Sequence, residues 1–166
     1  LKDIAQRKQK DEFIENISPK ELINEIVFSL NNISNKEINV ENLNLNQRMK
    51  MTKKTEISYA LRNFIENSIK FAKNKINIEI DQNKKRTAIT ISDDGDGFNK
   101  DIIANLGQPY LHSDNIKKNK KGMGLGVFIS KSLLERCLAR VTFRNNKSLP
   151  GASVKIVWNN SQLENL

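Results

Sequence analysis

The chain has 166 residues, enough for one domain with a real core, and its 37% hydrophobic and 28% charged content is ordinary for a globular fold. No apolar run approaches the length that crosses a bilayer, no signal-peptide pattern opens the chain, and a single Cys137 excludes an internal disulfide and fits a reducing compartment. The formal charge of +9 invites nucleic acid, but the lysines are dispersed, aromatic residues make up 6%, and no recognised nucleic-acid motif occurs, so no nucleic-acid partner is expected.

The chain opens on Leu1 rather than Met, which reads as a piece of a longer protein whose membrane or sensory parts lie upstream. Leu1, Ile4 and Ala5 share one side of what reads as the last turn of a preceding helix, so residues 1–12 are expected to be its end or a linker. Ser18-Pro19-Lys20-Glu21 gives a helix start: Ser18 as N-cap, Pro19 at the first helical position, Glu21 closing a capping box, and Ile17 with Leu22 as a hydrophobic staple. That helix runs through Leu30 and ends at Asn31-Asn32. Lys36 to Glu41 alternates as a short strand with Ile38 and Val40 inward, and Asn42 to Thr55 is polar and indistinct.

Glu56 to Ala72 is the strongest helix, with Ile57, Leu61, Phe64, Ile65, Ser68 and Ala72 on one stripe. Ile76 to Ile80 and Thr87 to Ser92 follow as an antiparallel hairpin through Asn83-Lys84-Lys85. A helix is expected from Asn99 to Leu106, then a loop from Gly107 to Lys121 that carries Lys117, Lys118, Lys120 and Lys121 and has no periodicity. Val127 to Leu138 reads as a helix offering Val127, Ile129, Leu133, Leu134 and Cys137 to the core. Ala139 to Asn145 and Ala152 to Trp158 close the chain as a second hairpin, leaving 161–166 as a tail. Hairpins segregated from helices argue for an α/β sandwich: one mixed, largely antiparallel sheet with helices on one face.

Three constellations could carry chemistry. Asp93-Asp94-Gly95-Asp96-Gly97 puts an acid and two glycines at a strand's carboxyl end, where α/β proteins place ligands, although Asp-Gly pairs are also common turn residues. Asn63 and Asn67 lie four apart on one helix face, with Lys70 one turn beyond; amide oxygens suit a hard cation and a lysine suits a phosphate, while a solvated face in an Asn-rich chain reads the same way. Gly122-Met123-Gly124-Leu125-Gly126 feeds a helix and can expose N–H groups to phosphate. It lacks the Gly-Lys-Ser/Thr ending of a Walker loop and follows a lysine-rich loop rather than a Rossmann strand.

Taken together, in this order and spacing, these pieces resemble the catalytic ATP-binding domain of sensor histidine kinases, within the wider GHKL family of gyrase, Hsp90 and MutL. Asn63-Phe64-Ile65-Glu66-Asn67 is similar to the N box, Asp93 to Gly97 to the G1 box and Gly122 to Gly126 to the G2 box. Ala60 to Asn67, Gly107-Gln108-Pro109-Tyr110, Gly122 to Ile129, Leu133 to Arg136, Gly151-Ala152 and Trp158 resemble the redox-responsive RegB/PrrB group in particular. The resemblance spans Ser18 to Trp158 and implies the Bergerat fold, with residues 13–160 as the ATP-binding unit.

It also implies roles. Asp93 would accept from the adenine amino group, Gly95 would shape the turn, and Gly97 would let the base approach. Asn67 would bind Mg²⁺, Asn63 would support metal or phosphates, and Lys70 would reach the phosphate chain. Phe71 and Ile102 are candidates for the adenine pocket or for plain core. Residues 107–121 match the ATP lid, from which Lys121 and its neighbours, followed by Gly122, Met123, Gly124, Leu125 and Gly126, would meet the phosphates; Asp94 and Asp96 remain turn residues. The implied reaction is phosphoryl transfer from ATP to a histidine on an upstream dimerisation hairpin, with relay to a RegA-like response regulator in a parent homodimer anchored in the bacterial inner membrane, this domain being cytoplasmic.

His112 lies in the lid and reads as a loop histidine rather than the phosphoacceptor. Gyrase-like relatives carry a water-activating glutamate where this chain has Asn63, which favours a kinase, while Glu66 beside Asn67 keeps an ATP-driven switch open as the alternative. A nucleotide-binding regulatory module without transfer activity is another. Cys137 does not match the redox-sensing elements of the family.

Overall fold

The computed structural model describes residues 15–44, 49–106, 124–147 and 150–166. Strand β1 (Asn16–Ile17) leads into α1 (Pro19–Asn31), β2 (Glu37–Asn42), β3 (Met51–Thr52) and α2 (Thr55–Phe71). Then follow β4 (Lys75–Gln82), β5 (Arg86–Asp93), α3 (Lys100–Ile103), α4 (Leu125–Arg136), β6 (Arg140–Asn145), β7 (Ala152–Asn159) and α5 (Asn160–Leu163). Five strands form one sheet in the order β2-β4-β5-β7-β6, with β2 parallel to β4 and every other pair antiparallel. This is the mixed, largely antiparallel α/β sandwich read from the sequence.

Period-two alternation places the core. Ile76, Ile78 and Ile80 of β4, Ile89 and Ile91 of β5, and Val154, Ile156 and Trp158 of β7 are buried on one face, against which α1, α2 and α4 pack. The α2 stripe is fully sunk, with Ile57, Leu61 and Ile65 at 0% exposure. Ser18 accepts from the Glu21 amide at 3.2 Å while Glu21 accepts from the Ser18 amide at 2.9 Å, so the capping box forms as expected.

Four local expectations change. Residues 42–55 are not featureless: Met51–Thr52 pairs antiparallel with Asn16–Ile17, and Met49 and Met51 are buried. Two-residue strands carry no readable alternation; this one exists because Ile17 and Met51 both enter the core. The helix expected over 99–106 is a single turn, because nothing in so short a segment offsets the cost of nucleation. On α4 the buried positions are Val127, Ser130 and Leu134, followed by Cys137, so Ile129 faces outward at 37% exposure and Leu133 is half-buried. Packing also continues past Trp158, since α5 carries a fully buried Leu163.

Among the described residues no helix is long and apolar enough to cross a membrane. Residues 107–121, expected from the sequence to be a lid and including His112 and Lys121, lie outside the described residues, as do Gly122, Met123 and residues 1–14.

The end of α4 shows how local strain is used. The Leu138 amide donates to Glu135 and the Ala139 amide donates to Leu134, which is a Schellman closure, and Leu138 occupies its left-handed position at φ 62°. Glycine is the residue that adopts this conformation without cost, and the Leu138 side chain is half exposed, so little packing is at stake. Leu138→Gly should therefore stabilise the fold by about 0.5–1 kcal/mol, raising Tm by roughly 1–4 °C in thermal unfolding.

Candidate functional site

The site is built on the last residue of β5. Asp93 continues the buried alternation of Ile89 and Ile91, which carries its carboxylate to the core side of the sheet at 7% exposure. Its Oδ1 accepts from the Gly95 amide at 2.9 Å and the Ala152 amide at 3.3 Å. Burial pushes the Asp93 carboxyl above the usual range; those two N–H groups pull against it, and the neighbouring Asp94 charge adds to the rise. Oδ2 meets no donor among the described residues, and the side chain lines the cleft.

The turn after Asp93 is held from two sides. Gly95 lies so close to the Phe71 carbonyl at the end of α2 that a Cβ there would collide with it. Asp94 is more than the turn residue expected. Its Oδ1 accepts from the amides of Lys73, Asn74 and Lys75 at 2.8, 3.0 and 3.1 Å, and its own amide donates to the Lys75 carbonyl. One side chain thus joins the end of α2, the start of β4 and the end of β5. Partial burial alone would raise the Asp94 carboxyl, but these N–H groups outweigh it and hold the group below the usual range. Asp96 forms an exposed ion pair with Lys73 at 2.8 Å.

The β6–β7 hairpin closes the other side. Asn145 accepts from the Phe98 amide at 2.7 Å and donates to the Phe98 carbonyl at 2.9 Å, while the Asn146 side chain donates to the Asp93 carbonyl at 3.0 Å. These asparagines were not singled out in the sequence, where they vanish into an Asn-rich background. Phe143 was also missed; it meets Phe64 and Phe98 edge to face, with ring centroids 5.9 and 6.1 Å apart. Alternation along β6 was the available signal for it.

The result is a cleft of about 170 Å³. Phe64, Phe71, Ile91, Phe98, Val127, Phe143 and Val154 give it apolar walls; Asp93 and Gly97 line it, and Asn67, Lys70 and Asp96 bring an amide, an ammonium and a second carboxylate to it. The fold therefore brings together Asn67, Lys70, Phe71, Asp93 and Gly97 of the expected set. Asn63, Gly95, Gly124, Leu125 and Gly126 do not line it: Gly95 packs behind Asp93, Gly126 packs against Asn63, and Leu125 is 67% exposed. Gly124 is the N-cap of α4. Ile102 falls within α3, and its side chain lies outside the described residues.

Along α2, Asn67 donates one N–H of its side-chain amide to Asn63 Oδ1 at 3.3 Å, which leaves the Asn67 carbonyl oxygen as a potential ligand. Lys70 sits with its ammonium 5.4 Å from the Phe71 ring centroid. Glu66 is tied to Arg62 at 2.9 Å and does not line the cleft. A cleft with aliphatic and aromatic walls, a buried carboxylate, and an amide oxygen and an ammonium beside it suits a heteroaromatic ring bearing an amino group and a charged tail.

Two carboxylates of opposite tendency yield opposite pH behaviour. Asp94, held low, stabilises the fold above the normal carboxylate range and loses that contribution as pH falls through its lowered value. Asp94→Ala should cost about 1–2 kcal/mol at neutral pH, lowering Tm by roughly 2–8 °C, with the deficit shrinking in acid. Asp93, held high, favours the fold when protonated, and that contribution is lost as pH rises through its raised value. Asp93→Asn keeps an acceptor for Gly95 and Ala152 without the charge, so its Tm relative to the unsubstituted chain should climb from acid to neutral pH; a flat difference would contradict the burial penalty.

Residues 52–161 match the family model described as histidine kinase-, DNA gyrase B-, and HSP90-like ATPase. Sensor histidine kinase RegB of Cereibacter sphaeroides is 34% identical over 122 residues, covering 64% of this chain and 26% of that protein. Sensor histidine kinase CssS of Bacillus subtilis is 33% identical over 89 residues, covering 53% and 18%. The chain thus spans about a quarter or less of these relatives. Among solved structures, a nucleotide-free catalytic domain of histidine kinase ThkA superposes with TM-score 0.71 at 16% identity, over 89% of this chain and 96% of that one. The mycobacterial sensor histidine kinase MprB gives 0.70 at 16% identity, over 88% and 97%, so both share the fold.

Proposed function

Since the chain belongs to the histidine kinase-, DNA gyrase B- and HSP90-like ATPase family, whose domain binds ATP, we propose that it is the catalytic domain of a two-component sensor histidine kinase. The observation that carries this reading is a buried Asp93 on the wall of an aromatic-lined cleft, its Oδ2 meeting no donor among the described residues, with Asn67 and Lys70 on the same cleft. The adenine amino group donates to that oxygen, and the base lies between the aliphatic and aromatic walls. Asn63, Asn67 and Lys70 belong to the phosphate half; Gly124, Leu125 and Gly126 start the helix behind it, and Lys121, Gly122 and Met123 directly precede them.

The Asn67 carbonyl is a hard, neutral oxygen ligand of the kind Mg²⁺ accepts, and the ion would neutralise charge on the phosphates. This chain's residues provide position and electrostatics, which is most of what phosphoryl transfer needs. Asn63 stands where hydrolytic relatives carry a glutamate, and Glu66 is engaged by Arg62 away from the cleft. Neither is placed to activate water, which favours transfer over hydrolysis.

In this reading residues 13–160 are the catalytic unit and 1–12 the end of the helix or linker that joins it to a dimerisation hairpin bearing the acceptor histidine. The parent is a homodimer anchored in the inner membrane that relays phosphate to a RegA-like response regulator. Supporting these finer points are the identity to RegB and the motif pattern shared with its group.

Two measurements test the reading. Asp93→Ala should weaken ADP binding by at least about thirtyfold in titration calorimetry, the loss of a charge-assisted hydrogen bond worth roughly 2–3 kcal/mol; unchanged affinity would remove the base site. Labelled Mg-ATP should transfer its γ-phosphate to the preceding segment of the parent, as acid-labile, base-stable label that vanishes with Asn67→Ala. Tight ATP binding with no transfer to a folded acceptor would instead mark a switch or a regulatory module.

A further inference from the structure

Ser130 occupies a place on the buried stripe of α4 that an apolar residue would ordinarily take. It is 0% exposed, between Val127 and Leu134, and its hydroxyl oxygen lies 3.1 Å from Asn63 Oδ1. That same oxygen accepts from Asn67 Nδ2 at 3.3 Å. A carbonyl oxygen has two lone pairs, so these donors saturate it. One turn before Ser130, Gly126 presses on the Asn63 amide from α4: a Cβ there would lie 3.1 Å from Nδ2 and 3.3 Å from Oδ1. The third glycine of the motif makes room for an amide, and the serine one turn later grips it.

We propose that Ser130 is a positioning residue whose hydroxyl, acting through Asn63, orients Asn67 so that its carbonyl oxygen is presented to the metal–phosphate group. The inference rests on the nucleotide site proposed above. An asparagine amide is nearly symmetric in shape, and its two ends differ only in hydrogen bonding. With Ser130 and Asn67 both donating to Asn63 Oδ1, the nitrogen end of the Asn67 amide is engaged through one N–H and its oxygen is left for a cation. Without the hydroxyl, the Asn63 amide can turn over and offer its own N–H to the Asn67 oxygen, which consumes the ligand. The cost falls on metal binding and spares the base site, which Ser130 does not touch.

The readout is the gain in ADP affinity that Mg²⁺ or Mn²⁺ confers over EDTA, measured on the whole chain by calorimetry. Ser130→Ala should reduce that gain by about tenfold while affinity in EDTA stays within about twofold, as expected for a group that orients a metal ligand. In an Asn63→Ala background Ser130→Ala should add nothing further. Ser130→Cys keeps the volume with a weak donor and should fall between, which preserves the test if alanine disturbs the packing. An unchanged gain in Ser130→Ala, or an equal loss with and without metal, overturns the proposal. Asn67→Ala separates the two readings: if it retains the full gain, the metal site itself is wrong, whereas loss in Asn67→Ala alone leaves the site standing and removes Ser130 from it.

Discussion

A carboxylate sunk into an apolar cleft is the constraint around which this fold is arranged. Asp93 at 7% exposure gives up most of its hydration, and the chain compensates with two backbone N–H groups brought from different places in the sequence. Gly95 comes from the turn that follows, and Ala152 from the start of β7, fifty-nine residues on. Both groups bond the same oxygen. The compensation is incomplete: no donor among the described residues meets the second oxygen, so burial still penalises the charge and the residue costs the fold stability as pH rises through its raised value.

That arrangement requires three chain segments to be held in register, and side chains do the holding. Asp94 gathers three consecutive amides at the junction of α2 and β4, while Asn145 and Asn146 fasten the opposite hairpin to Phe98 and to the Asp93 carbonyl. None of these three side chains lines the cleft. They set where the cleft walls stand, and a loosened turn would shift Oδ2 by the fraction of an ångström that separates a good hydrogen bond from a poor one.

The elements with strong periodicity were legible: α1 through its capping box, α2 through its stripe, and β4, β5 and β7 through alternation. The asparagine and aspartate-glycine motifs drew attention to Asn67, Asp93 and Gly97, which the fold brings to one cleft, whereas Gly124, Leu125 and Gly126 of the third motif stand behind it. What could not be read depends on contacts between distant residues. Strand β3 exists because Met51 meets the core beside Ile17; the outward turn of Ile129 follows from Ser130 taking the buried position; and Phe143 becomes a cleft wall only when β6 lies beside β7. A composition rich in asparagine hid Asn145 and Asn146, whose roles are structural and whose type carries no local signal.

The strand order divides the site between segments of unequal cooperativity. Asp93 belongs to β5, the middle of five strands, whose amides are shielded by ladders to β4 and β7 on both sides. Phe143 belongs to β6, an edge strand laddered on one side only. Exposing β5 amides to deuterium requires near-global unfolding, whereas β6 can open as a smaller unit. The ladder that supports the Phe143 wall is thereby weaker than the one that supports Asp93, and the side chains of Asn145 and Asn146, tied to Phe98 and to the Asp93 carbonyl, are what couple the rim strand to the centre of the sheet.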